Sequence, residues 1–131
     1  MKLKIATHIL LGFITSWIIA SVISRENIHH ILLAIPILGL THELLHLASL
    51  KMFKLKYRFT LNSLLLGFKA TFLNPIQFIV TAITPQILTL ALLSTYIITS
   101  NAYTLALSII HIAISYENVV KILRYLVNYF I

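Results

Sequence analysis

The chain has 131 residues, of which 60% are hydrophobic and only 10% charged, and its mean hydropathy is +0.98. That composition excludes a soluble globular domain and predicts one integral membrane domain over residues 1–131. Formal charge is +7 and cysteine is absent, so there are no disulfides, thiolate ligands or cysteine nucleophile. The cations flank apolar spans and read as topology determinants and lipid-headgroup contacts, not as a nucleic-acid surface.

After Lys2 and Lys4, an apolar run over about 5–23 is long enough for roughly 28 Å of helix and one crossing. It is longer than a usual signal-peptide core and reads as a retained helix; it contains Trp17, and His8 near its entry reads as interfacial. Ser24-Arg25-Glu26-Asn27 is a polar loop with Asn27 as a helix cap. A second span over about 28–50 opens with His29 and His30, which read as solvated, and holds Pro36, which predicts a kink. From Lys54 to Leu61, charged or polar residues alternate with apolar ones, Asn62-Ser63 supplies a turn, and Leu64 to Leu73 is a second strand-like run. This predicts an interfacial β-hairpin over about 54–73, its basic face toward headgroups and its free edge able to take an extended substrate.

Asn74-Pro75 ends the hairpin and starts a third span over about 76–98, with Thr84-Pro85 near its centre. A proline there removes one backbone hydrogen bond, which bends the helix or opens water access. Beyond the loop Ser100-Asn101-Ala102, a fourth span over about 103–123 carries His111, Ser115, Glu117 and Asn118 and ends near Lys121 and Arg124. Tyr125, Tyr129 and Phe130 then read as an aromatic anchor. The expected fold is therefore an all-α membrane protein of four transmembrane helices with a short interfacial β-hairpin between the second and third. Four crossings put Lys2, Lys4, the hairpin cations, Lys121 and Arg124 on one side. By the positive-inside rule that side, with both termini, is the cytoplasmic face of the cell membrane.

The chemistry concentrates in His42-Glu43-Leu44-Leu45-His46. At about 100° per residue the two histidines lie about 40° apart on one helix face, so both imidazoles can reach one ion. Glu43 projects from the flank, where a carboxylate takes a proton from zinc-bound water in zincins. A glutamate within an apolar span costs about 2.5 kcal/mol or more unless it is used or paired.

His46 is five residues before Lys51, and Glu117 is four before Lys121. If both cations mark one interface, the second and fourth spans carry polar clusters at one depth. A catalytic zinc takes three protein ligands and an open position. The chain has three acidic residues. Glu26 is in the outer loop and Glu43 is the base, which leaves Glu117 as the carboxylate for the third ligand position. Asn118, through its amide oxygen, is the rival, and His111 is the other candidate. His111, Ser115 and Asn118 share a face, whereas Glu117 is about 120° from His111, so these cannot all point at one ion without distortion.

At these residues the chain resembles small membrane zincins of the putative zincin peptidase family, related to site-2 intramembrane metalloproteases. The resemblance covers about Ile28 to Leu126. It rests on His42, Glu43 and His46, on the strand-like basic segment and on the proline-containing span that follows. The family's later helix brings an aspartate ligand, often as Asn-x-x-x-Ser-x-Gly-Asp. This chain reads His111-Ile112-Ala113-Ile114-Ser115-Tyr116-Glu117-Asn118, so Ser115 matches and Asn118 stands where the aspartate would be.

The resemblance implies a zinc-dependent membrane-embedded peptidase acting on membrane-associated protein substrates, with Glu43 as base and His42, His46 and Glu117 as metal ligands. The bilayer is its expected partner and nucleic acid is not. Two other classes predict different behaviour. A divalent-metal binding or transport protein would keep its metal dependence without Glu43, and a catalytically inactive scaffold would bind no metal tightly.

Overall fold

The computed structural model describes residues 2–23, 25–62 and 65–130, without the side chains of 2–9, 11–13, 61–62, 65–66 and 129–130. The interfacial place expected for His8, the turn at Asn62-Ser63 and the parts of the aromatic anchor at Tyr129 and Phe130 lie outside that description.

Helix α1 (Lys2–Ile23) leads through a short 3-10 turn, Arg25–Asn27, into α2 (Ile28–Met52). Asn27 stands at the N-cap of α2 but its side chain makes no capping bond, and Pro36 is carried inside the helix. α2 ends in a Schellman motif: Leu55 N–H donates to the Leu50 carbonyl at 3.0 Å and Lys54 N–H to that of Lys51 at 3.0 Å, with Lys54 left-handed at φ 54°. Leu50 and Leu55 are both buried, the apolar contact that accompanies this motif. The reversal delivers the chain into the hairpin.

Strands β1 (Tyr57–Asn62) and β2 (Leu65–Ala70) pair antiparallel, with Arg58 opposite Lys69 and Phe59 opposite Phe68. Because side chains alternate, one face gathers Tyr57, Phe59 and Phe68, edge to face at 5.7 Å, while the other carries the two cations. The hairpin is shorter at both ends than the expected 54–73. Six residues pair on each strand, and Lys54 is taken up by the end of α2.

The third apolar stretch is two helices, α3 (Pro75–Ile83) and α4 (Gln86–Thr99). Asn74 caps α3 by accepting from Gln77 N–H at 2.9 Å, and Gln77 Oε1 accepts from Leu73 N–H at 3.0 Å. Proline at the first helical position completes a start that the sequence signals openly. At α4's end, Ser100 is left-handed at φ 52°, and Asn101 Oδ1 accepts from Tyr103 N–H at 2.9 Å to open α5 (Ala102–Phe130).

α5 is the hub. It packs most extensively on α1 and α4 and also touches α2 and α3. The core of Ala20, Ile31, Ile35, Leu38, Ala106, Leu107 and Ile110 joins α1, α2 and α5. Among the described residues three helical stretches are long and apolar enough to cross a membrane, 25–52, 75–99 and 102–128, and α1 adds a shorter apolar helix, Ile14–Ile23. These stretches mark a membrane protein.

Candidate metal centre

His42 and His46 lie one turn apart on α2, and the face of α5 that holds His111, Ser115 and Asn118 is turned toward them. The Asn118 Nδ2 is 2.9 Å from His42 Nε2 and 3.0 Å from His46 Nε2. On the far side of each ring the Nδ1 atoms are also engaged. His46 Nδ1 is 2.7 Å from the Thr81 carbonyl of α3, and His42 Nδ1 is 3.1 Å from His111 Nε2. His111 Nδ1 in turn is 2.7 Å from Thr89 Oγ1 on α4, whose hydroxyl donates to Gln86 Oε1 at 3.0 Å.

The direction of every bond follows from the two ends of this chain. A carbonyl only accepts, so His46 Nδ1 carries the proton and its Nε2 is bare. At the other end the Thr89 proton is spent on Gln86, so Thr89 Oγ1 accepts from His111 Nδ1–H. His111 Nε2 is then bare and accepts from His42 Nδ1–H, which leaves His42 Nε2 bare as well. The two protons of the Asn118 amide match the two bare nitrogens. All three imidazoles are neutral and every ring nitrogen has a partner, as burial requires: His42 is 4% exposed and His111 0%.

Two Nε2 lone pairs therefore converge on one atom, which is the arrangement a metal ion needs from a pair of histidines. The proton on the opposite nitrogen of each ring, held by a carbonyl or another side chain, is the support that fixes a ligating imidazole. Among the described residues no three His, Cys, Asp or Glu side chains form a metal-holding group; the third member here is an amide. The donor set, two imidazole nitrogens and an amide that carries an oxygen, fits a first-row divalent ion.

Glu117 is not brought to the histidines. It turns to Lys121 one turn later on α5, Oε2 to Nζ 3.7 Å, and both side chains are exposed. The reason is angular: once α5 presents His111, Ser115 and Asn118 to α2, a residue about 120° round the helix from His111 cannot follow. Glu43 is half-buried beside His42, and the Lys121 ammonium acts electrostatically on Glu43, His42 and His46. Ser115 is buried and donates within its own helix to the Ile112 carbonyl at 3.2 Å. His29 and His30 are exposed at the start of α2.

Thr81, Gln86 and Thr89 are site residues that sequence reading missed. The Thr81 carbonyl had a signal, the proline four residues later. Thr89 and Gln86 had none, because their role depends on how α4 packs on α5. A cavity of ≈ 520 Å³ opens between the end of the hairpin, α3 and α5, lined by Phe72, Asn74, Phe78 and Tyr125 among others, and none of the histidine-centre residues lines it.

No curated protein and no solved structure matches the chain. A family model does, over residues 32–130, and its description is "Putative zincin peptidase". The match takes in both histidines, Glu43 and the whole of the α5 cluster, and by it the chain belongs to the putative zincin peptidase family.

Proposed function

We propose that the protein is a zinc-dependent, membrane-embedded metallopeptidase of site-2-protease-like type that cleaves membrane-associated proteins. In this reading α1 is a fourth crossing and both termini and the hairpin face the cytoplasm. The observation that carries the proposal is the convergence of His42 Nε2 and His46 Nε2 on one amide. The residues that would hold the ion are His42, His46 and Asn118, the last by turning its amide so that Oδ1 takes the place Nδ2 holds in the structure, with Glu117 left to Lys121. A zinc ion bound there lowers the pKa of its water and polarises the scissile carbonyl.

The remaining work falls to the protein's own groups. Glu43 takes the proton of the attacking water and delivers it to the leaving amine. His111 and the Thr81 carbonyl keep the two imidazoles turned the right way. A helical substrate hides its carbonyls and has to unwind, and a free hairpin edge can hold it extended.

One observation favours a second reading, a catalytically inactive scaffold: the third position is a neutral amide where the resembling family places a carboxylate. Elemental analysis of the detergent-purified protein separates the two. The peptidase reading expects about one zinc per chain, lost in His46→Ala, weakened in Asn118→Ala and kept in Glu117→Ala. Wild-type protein that takes up no zinc when supplied with it would leave the scaffold.

A further inference from the structure

The break in the third apolar stretch coincides with the support of His46. In an unbroken helix the Thr81 carbonyl would accept from the N–H of residue 85. Residue 85 is proline, which has no N–H, and the Thr81 carbonyl meets His46 Nδ1 at 2.7 Å instead. The chain stays helical on both sides: Thr84 N–H still donates to the Val80 carbonyl at 2.9 Å, and Leu88 N–H to that of Pro85 at 3.0 Å. The proline thus frees one chosen carbonyl of a buried turn, and an imidazole from another helix occupies it.

We propose that Pro85 is a positioning residue for His46: by denying the Thr81 carbonyl a helical donor, it reserves that oxygen for His46 Nδ1–H and so turns Nε2 toward His42 and Asn118. Thr81 acts here through its backbone. Four other span threonines, Thr41, Thr84, Thr95 and Thr99, fold their hydroxyls back on the carbonyl four residues before. Thr81 does not; its Oγ1 is buried without a hydrogen-bond partner in the structure. His42 is held by a separate support, His111, so the two rings can be perturbed independently.

The inference rests on the metal-centre reading for its purpose, but its test begins on protein stripped of metal. With ¹⁵N-labelled histidine in detergent micelles, wild type is expected to show His46 and His42 each protonated at Nδ1. Pro85→Ala and Pro85→Gly both restore an N–H at position 85, and in both His46 is expected to lose its fixed Nδ1–H signature while His42 keeps its own. Zinc affinity, measured by chelator competition, is expected to fall about 10- to 100-fold in both.

Three results would overturn the proposal: an unchanged His46 in either variant, a change in His42 that accompanies that in His46, or unchanged zinc affinity in a variant whose His46 signature is lost. The second would mean that the proline merely shapes the helix. If wild type binds no zinc, the metal-centre reading fails, while the tautomer comparison still decides what Pro85 does to His46.

Discussion

The α2–α5 seam and the β1–β2 hairpin both bring polar side chains together, but under opposite rules. In the seam three imidazoles, an amide, a hydroxyl and a carbonyl form one directed chain of hydrogen bonds, with every proton accounted for. In the hairpin Arg58 faces Lys69 across the strands, both are exposed, and the segment contains no acidic residue. Directly opposed like charges destabilise a strand pair. The seam depends on which atom points where, so small changes there are costly. The opposed cations of the hairpin are exposed, so exchanges there have small effects.

Substitutions can break this contrast, and the seam offers the largest effects. His46→Ala removes one of two convergent nitrogens and is expected to abolish zinc binding and peptidase activity together; elemental analysis and a cleavage assay check both. Glu43→Gln should separate them, keeping zinc while cleavage falls by about 10²- to 10⁴-fold, and full activity in that variant would sink the proposed role of Glu43. His111→Ala touches no ligand position, yet it removes the acceptor of His42 Nδ1–H. Zinc affinity should drop about 10- to 100-fold, and a wild-type affinity would show that the relay is only packing.

The hairpin and the flank of α5 should respond weakly. Arg58→Glu turns a repulsive cross-strand pair into an attractive one, so the hairpin should gain about 0.2–1 kcal/mol, seen as slower amide exchange in β1 and β2. Smallest of all, Glu117→Ala removes an exposed pair with Lys121 and should change stability by no more than about 1 kcal/mol, with zinc content untouched. Loss of zinc in that variant would restore Glu117 to the centre and displace Asn118.

Much of the architecture was legible because it follows from local chemistry. Asn74-Pro75 announces a helix start, alternation around Tyr57 and Phe59 announces a strand, and long apolar runs announce spans. The meeting of α2 and α5 was foreshadowed by the spacing of His46 and Glu117 from basic residues. The choice between Glu117 and Asn118 was not legible. A one-residue difference is about 100° of helix rotation, and rotation is set by the packing of α5 on α1 and α4, which no local pattern records. The break at Pro85 was visible, but which carbonyl it frees, and for what, needed the position of His46. Asn27 sits where a cap belongs without capping, because a 3-10 turn delivers the chain instead.

The central place of α5 has a consequence for how the molecule is made. During synthesis α1 to α4 leave the ribosome before α5, and their contacts with one another are slight beside those each of α1 and α4 makes with α5. The earlier helices can insert, yet they have little to lock onto until α5 arrives. His42 waits throughout that interval for His111 and Asn118, while His46 has only the Thr81 carbonyl. A chain interrupted before α5 would keep the support of His46 alone, so His42 gains its orientation only once the residues near 118 are made.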